Sequence, residues 1–268
     1  MKFGIHNPSW VYGLDPAEAF EAVKAKAQWA EDHGFVWFSV MDHLIQIGGV
    51  GAPDEPFMEG WTVLSALAAV TSRIRLATLA TSVGYRNPAH LAKIAATVDL
   101  ISRGRLTLGI GAGYLETEYR QYGWEFPARP AVRIRQMEEV VRLILAMWTE
   151  KRTTFHGRYF HVEDAILEPK PVQRPRPPVM IAGGGEQLTL RAVARLRFLA
   201  RAYLLWDPRA ARPRSEPAGL FQLISRFNEF DGAARTKPYA AEDGAIHQQF
   251  LPDRPLDRHD TRRYAGSS

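Results

Sequence analysis

The chain has 268 residues, of which 46% are hydrophobic and 24% are charged, with a formal net charge of +5 and no cysteine. This composition is typical of a globular protein and excludes fibrous proteins, disulfide-stabilised folds, thiol catalysis and metal sites with cysteine ligands. The 34 basic and 29 acidic residues are scattered and accompany no recognisable nucleic-acid-binding motif, so we expect no nucleic-acid partner.

Predicted strands and helices alternate along the chain. Short runs rich in β-branched and aromatic residues indicate strands, and apolar residues three and four apart indicate helices. Asp15, Asn87 and Gly34 mark helix ends. The predicted pairs are strand 2–6 with helix 15–33, strand 35–40 with helix 59–71, strand 74–80 with helix 88–101, strand 105–110 with helix 134–148, and strand 179–181 with helix 186–195.

Two further segments interrupt this alternation. Residues 153–162 alternate bulky side chains about a His-Gly turn, which predicts a hairpin insertion. Residues 168–178 are proline-rich, which predicts an extended approach to the fifth strand.

Five repeats of strand and helix predict a parallel sheet, either an open doubly wound sheet or a closed barrel. The dinucleotide-binding pattern G-x-G-x-x-G is absent, because Gly109, Gly111 and Gly113 follow one another at every second position. We therefore expect an α/β fold of the TIM-type barrel class, whose chemistry gathers at the carboxyl ends of the strands. The residues at those ends are Asn7, Asp42 and His43, residues 78–82, residues 111–114, and Gly183, Gly184 and Gly185.

The three glycines after the fifth strand allow two interpretations. They form a tight turn from strand to helix, or their bare amides at a helix N-terminus bind a phosphate.

Several segments together resemble the luciferase-like monooxygenase superfamily, and most closely its coenzyme F420-dependent oxidoreductases. They are "MDHL" at 41–44 and residues 77–123, 133–150 and 161–195. The resemblance covers about residues 1–195. It implies a TIM-type barrel with a hairpin-bearing insertion, and a deazaflavin or flavin ring in the carboxyl-terminal mouth.

The resemblance also implies the site residues. Asp42 and His43 would lie beside the reactive edge of the ring. Thr78, Leu79, Ala80 and Thr81 would form a bulged third strand behind it, Gly111, Gly113 and Tyr114 would wall the pocket, and Gly183, Gly184 and Gly185 would receive the phosphate-bearing tail.

The chemistry of the side chains suggests separate roles for His43 and Asp42. An imidazole can move the proton that accompanies hydride transfer, which makes His43 the candidate acid or base. Asp42 points the opposite way along an extended segment, so it is better placed to anchor the loop. The plainer interpretations are a histidine satisfied within a turn, threonines as ordinary strand residues, and Glu116 and Glu118 as ordinary solvated acids at a helix start.

Periodicity fades after Arg195, which predicts a core of residues 1–195 and an atypical Arg/Pro/Ala-rich segment of residues 196–268. An altered reading frame, a divergent end and a disordered end all account for such a segment. We expect an incomplete or irregular barrel, with short helices at most near 198–206 and 221–230. An open sheet leaves unpaired edge strands, which favours a homodimer.

Three functions follow from these expectations. The first is hydride transfer between coenzyme F420 and a small alcohol or carbonyl substrate. The second is a monooxygenase that uses reduced FMN, and the third is a catalytically defective cofactor-binding variant. No apolar run approaches the roughly 20 residues of a membrane span and no signal peptide is evident, so we expect a cytoplasmic protein without a membrane partner. The spacing of the histidines gives no reason to expect a metal.

Overall fold

The predicted alternation of strands and helices is present in the computed structural model, which describes residues 3–10, 15–183, 188–196 and 224–226. The strands are β1 (Phe3–Asn7), β2 (Trp37–Val40), β3 (Arg75–Thr78), β4 (Thr81–Ser82), β5 (Leu106–Gly111), β6 (Thr153–His156), β7 (His161–Ala165), β8 (Val179–Ala182) and β9 (Ile224–Arg226). The helices are α1 (Ala19–Asp32), α2 (Gly60–Val70), α3 (Pro88–Ile101), α4 (Glu116–Gln121), α5 (Pro130–Thr149) and α6 (Thr189–Leu196), and a 3-10 turn (Pro16–Glu18) precedes α1.

The main sheet keeps the strands in sequence order. β1 pairs in parallel with β2, β2 with β3, β3 with β5 and β5 with β8. β4 follows β3 after a short interruption and also pairs with β5. In a doubly wound sheet the strand order reverses near the centre, and the parallel strands described here show no such reversal. β9 pairs antiparallel with β1.

The core clusters show that the helices cover one face of the sheet. Outward-facing strand residues such as Phe38 and Leu108 pack in one large cluster with residues of α1, α2, α3, α5 and α6. A second, small cluster joins Trp37, Ala77 and Met180 of the inner face, and all three belong to strands. Sequential parallel strands with helices outside them are the arrangement of a TIM-type barrel, which confirms the predicted fold class.

Most predicted elements are confirmed, with three corrections. The predicted hairpin is formed by β6 and β7. Helix α4 was not among the five predicted helices, although Glu116 and Glu118 were considered as acids at a helix start. Ile101, expected on the apolar face of α3, is 43% exposed because it lies at the last position of the helix. Ile224–Arg226 is a strand, although a short helix was expected near 221–230.

Local hydrogen bonds explain where α3 begins and how the proline-rich segment is held. The Asn87 side chain accepts hydrogen bonds from the amides of Ala89 and His90 and so caps α3. The buried carboxylate of Asp99 accepts hydrogen bonds from the amides of Val172 and Gln173, at 2.7 and 3.0 Å. α3 therefore holds the chain that leads into β8.

A buried arginine closes the amino-terminal end of the sheet. The Arg105 guanidinium donates to the carbonyl oxygens of Ala68, Thr71, Ile74 and Ser102 and to the Thr71 hydroxyl. It thereby joins the ends of α2 and α3 to the start of β3.

No helix in the described part of the chain is long and apolar enough to cross a membrane. The predicted division at residue 195 concerns residues that, apart from Leu196 and β9, lie outside the described ones, so it stays a prediction. The same holds for an incomplete barrel.

Candidate functional site

Three segments meet where the parallel strands end at their carboxyl edge. They are residues 41–46 after β2, residues 79–86 around β4, and residues 111–119 from the end of β5 into α4. Parallel strands bring their carboxyl ends to one edge of a sheet, so side chains far apart in sequence become neighbours there.

His43 and Glu118 form the central pair of this edge. Nδ1 of His43 donates to Oε2 of Glu118 at 2.7 Å. Oε1 of Glu118 accepts hydrogen bonds from the amides of Leu44 at 2.6 Å and Ile45 at 3.3 Å. Because the carboxylate only accepts, the imidazole carries a proton on Nδ1, and Nε2 is left as the atom that can take or give a proton.

The expectation that Glu118 is an ordinary solvated acid was wrong, whereas Glu116 is exposed as expected. Glu118 is fully buried, since α4 turns this side chain inward beneath the loop after β2. The sequence carried one usable signal, because Glu118 follows closely after the end of a predicted strand.

Tyr85 completes the surroundings of Glu118, and it was also missed. Its hydroxyl donates to Oε2 of Glu118. Burial, followed by the neighbouring Glu118, raises the pKa of Tyr85, so the phenol keeps its proton. Burial alone would raise the pKa of Glu118, but the hydrogen bonds from His43 and Tyr85 outweigh it and the pKa lies below its usual value. Glu118 is therefore a carboxylate at neutral pH.

Aromatic stacking fixes the Tyr85 ring. Its centroid lies 5.2 Å from that of Trp124, and Trp124 stacks in turn on Tyr122 at 5.5 Å. These rings line part of a cleft of about 490 Å³ that also includes Trp61 and Arg86.

Tyr114 covers the other side of His43. The Tyr114 hydroxyl lies 3.4 Å from Nε2 of His43, and the two rings meet edge to face at 5.6 Å. Tyr114 is 62% exposed. The imidazole is thus held on its Nδ1 side by a buried group, and among the described residues the exposed Tyr114 ring lies beside its Nε2.

Asp42 faces away from His43, as the alternation of an extended segment predicts. Its carboxylate accepts two hydrogen bonds from Arg86, at 2.7 and 2.8 Å, and Arg86 also binds Glu59. Burial raises the pKa of Asp42 to about 6, although the Arg86 charge opposes this shift. Asp42 is only 1% exposed, so its position is that of an anchor for the loop.

Four of the predicted site residues, Thr78, Leu79, Ala80 and Thr81, lie where β3 ends and β4 begins. Thr78 and Thr81 are fully buried, and their hydroxyls are 2.8 Å apart. Oγ1 of Thr78 also donates to the Gly109 carbonyl at 3.0 Å. Leu79 and Ala80, joined by a cis peptide bond, are partly exposed at the strand ends. The threonine side chains therefore hold the bulge, and the residues between them face the open edge.

The glycines after β5 have different reasons to be glycine. A Cβ on Gly113 would lie 2.3 Å from the Tyr119 hydroxyl, and its φ of +78° is unfavourable for other residues. A Cβ on Gly111 would meet only ordinary contacts, among them Ala80 at 3.8 Å and Ala182 at 4.0 Å. Gly111, Ala80 and Ala182 are all partly exposed, so they form a floor without large side chains. A planar ring fits such a floor.

The expected phosphate site is described only at its first residue. Gly183 directly follows β8 and is exposed. Gly184 and Gly185 lie outside the described residues, so their role remains a prediction. Within the described ranges, no group of three or more histidine, aspartate or glutamate side chains is placed to hold a metal ion.

Comparison with known families gives a match over most of the chain. The sequence profile of the family described as luciferase-like monooxygenase matches residues 1–214. An uncharacterised protein of Mycobacterium tuberculosis is 34% identical over 208 residues, which are 73% of this chain and 70% of that protein. An FMNH2-dependent dimethylsulfone monooxygenase of Pseudomonas putida is 32% identical over 59% of this chain. The match spans 42% of that monooxygenase.

Solved structures agree on the fold. The monooxygenase RslO1 of Streptomyces bottropensis superposes with a TM-score of 0.62 at 26% identity, over 75% of this chain and 59% of that chain. An F420-dependent secondary alcohol dehydrogenase, solved with an F420-acetone adduct, gives a TM-score of 0.60 at 23% identity, over 76% and 68%. Relatives and structural neighbours thus include both flavin-dependent and F420-dependent enzymes.

Proposed function

The chain belongs to the luciferase-like monooxygenase family, and we propose that it is an oxidoreductase that transfers a hydride between coenzyme F420 and a small alcohol or carbonyl compound. The observation that supports this function best is the His43–Glu118 pair. The pair supplies a proton-transfer group, and it belongs to the same carboxyl edge of the sheet as the floor of small residues.

The residues of the edge fit a flat tricyclic ring. Ala80, Gly111 and Ala182 leave room for a planar group, and Leu79 adds an apolar contact. When bound, a deazaflavin would supply the hydride or accept it. The phosphate-bearing tail would be bound by the amides of residues 183–185, where a strand leads into α6.

His43 would then handle the proton at the substrate oxygen. In alcohol oxidation Nε2 takes the hydroxyl proton, and in carbonyl reduction the same atom returns it. Glu118 keeps Nδ1 protonated and stabilises the imidazolium that forms. Tyr85 and the amides of Leu44 and Ile45 keep Glu118 ionised and in place. Arg86 and Asp42 fix the segment that carries His43.

A second candidate is a monooxygenase that depends on reduced FMN. It is favoured by the FMNH2-dependent relative at 32% identity. His43 would serve as a proton donor or acceptor in that reaction too, so the side chains described above are compatible with both chemistries.

Separate binding and turnover measurements test these proposals. Fluorescence titrations with coenzyme F420 and with FMN give the cofactor preference. Each cofactor that binds is then supplied with a panel of small alcohols and ketones, and reduced FMN is also supplied with oxygen. We expect F420 binding and alcohol-dependent F420 reduction. Oxygen-dependent product formation with reduced FMN alone would select the second candidate, and cofactor affinity without any turnover would indicate a catalytically defective variant.

A further inference from the structure

A second imidazole, His6, lies on the inner face of the sheet close to His43. β1 and β2 pair in parallel, with His6 beside Ser39. Alternation along each strand puts both residues on the same face as Trp37 and Ala77, the face opposite the helices. Asn7, the next residue, turns the other way and accepts a hydrogen bond from Lys26 of α1.

One nitrogen of this imidazole is engaged and the other is not. Nδ1 of His6 lies 3.0 Å from the Ser39 hydroxyl. No described residue forms a hydrogen bond with Nε2, and the side chain remains partly exposed. His6 is the last but one residue of β1, and β1 pairs with β2, the strand that leads into the loop carrying His43, so the His6 ring projects from the inner face next to the same carboxyl edge.

The two imidazoles have unequal electrostatic surroundings. His43 has the carboxylate of Glu118 as its partner, whereas His6 has only the hydroxyl of Ser39. The pKa of His6 is lowered to about 4. Burial is the main cause, the hydrogen bond with Ser39 opposes it, and the nearby His43 adds to it. Two neighbouring groups with opposed surroundings take different roles, one that moves a proton and one that stays neutral.

We propose that His6 is a specificity-determining residue whose Nε2 binds the oxygen atom of the small-molecule substrate, while His43 moves the proton. This inference rests on the proposed function and names a contact for the substrate. The Ser39 hydroxyl can donate to Nδ1 or accept from it. The first arrangement fits the proposal: Nε2–H donates to a lone pair of the substrate oxygen, in the carbonyl and in the alcohol alike, and the single hydroxyl proton of the alcohol goes to Nε2 of His43. The same residue therefore binds both members of an alcohol/carbonyl pair.

Kinetics of His6→Gln and His6→Phe test the contact. Loss of one neutral hydrogen bond should raise KM for the alcohol or ketone by about 3- to 10-fold, with a smaller change in kcat and unchanged cofactor affinity. His6→Gln covers the case in which His6→Phe fails to fold. The control is His33→Gln, because His33 is exposed at the end of α1. Unchanged KM values for the whole panel in both His6 variants would overturn the proposal.

Diethyl pyrocarbonate mapping tests the placement of His6 without turnover. The reagent acylates neutral imidazole, and His6, whose pKa is lowered to about 4, stays neutral at a pH of about 5.5. We expect His6 to be modified at this pH in the native protein, and bound cofactor or substrate to protect it. If His6 reacts only after unfolding, its Nε2 faces no ligand space and the proposal fails. If no substrate of the panel is turned over with either cofactor, the proposed function is wrong. The modification experiment then still tests whether Nε2 of His6 faces a ligand-binding space.

Discussion

At the scale of single residues, the site depends on one buried carboxylate. Glu118 orients His43 and at the same time binds two backbone amides of the loop that carries it. A carboxylate in this position sets the imidazole tautomer, because it only accepts hydrogen bonds. The residue therefore links the position of His43 to its chemistry, and it can be tested separately from His43.

Replacement of His43 by alanine should lower turnover by about 10² to 10⁴, the range for a lost acid or base, while cofactor affinity changes less. Steady-state kinetics and a fluorescence titration on the same preparation measure both effects. His33→Ala is a suitable control, since His33 is exposed just after the end of α1. Full activity of His43→Ala would make His43 a structural residue.

Glu118→Gln should retain the shape of the side chain but remove its charge, so we expect turnover to fall by about 10- to 100-fold. The matched control is Glu116→Gln, because Glu116 is an exposed acid on the same helix. Equal activities of the two variants would mean that the charge of Glu118 has no part in the reaction. Circular dichroism checks that both variants are folded.

His6 should make stability depend on pH. Its pKa is lowered from 6.5 to about 4 in the folded state, so the unfolded chain binds more protons between these values. The free energy of unfolding contributed by His6 is fully present above about pH 6.5 and falls by about 1 to 3 kcal/mol as the pH approaches 4. Asp42, whose pKa is raised to about 6, acts in the opposite direction over part of this window. Urea unfolding of the wild type and His6→Gln at pH 7, 6 and 5 measures the contribution of His6. An equal change in the free energy of unfolding with pH for both proteins would contradict the prediction.

At the scale of elements, polar side chains join pieces of backbone that the sheet alone does not hold. Asp99 holds the entry to β8, and Arg105 ties the ends of α2 and α3 to β3. Gly113, with a φ of +78° and no room for a Cβ against Tyr119 and Ser82, lies in the turn between β5 and α4, the helix that carries Glu118. Element ends thus determine where the site residues meet.

Arg105→Met should lower the free energy of unfolding by about 2 to 4 kcal/mol, because several carbonyl groups near a buried position lose their donor. Arg103→Met provides the comparison, since Arg103 is exposed two residues earlier. Urea denaturation of both variants measures the difference. A similar loss of stability in both variants would show that Arg105 contributes through the net charge of the protein and not through its hydrogen bonds.

At the scale of the whole molecule, the main question is how residues 196–268 relate to the barrel. The five strand-helix units belong to the described core, and β9 pairs with the free edge of β1. Composition predicts few regular elements in residues 196–268, which hold eleven arginines and Lys237. The homodimer expected from an open sheet stays a prediction.

Limited trypsin digestion should cut this segment first and leave a stable fragment of residues 1 to about 195. Mass spectrometry of the fragments over time identifies the cuts. Residues near β9 offer an internal check, since pairing with β1 would slow cleavage at Arg226. Resistance of the full chain to trypsin would mean that the segment contains regular units that the sequence pattern does not reveal.

The sequence by itself determined the alternation of strands and helices, the hairpin, the family and the position of His43. These features depend on local periodicity, caps and turns, which neighbouring residues encode. Only the tertiary structure decided that Glu118 is a buried partner of His43, that Arg86 anchors Asp42, and that His6 lies beside the Ser39 hydroxyl. The physical reason is that the partners of a buried charge are chosen by the packing of distant segments. A carboxylate at a helix start has the same local sequence whether water or a histidine surrounds it.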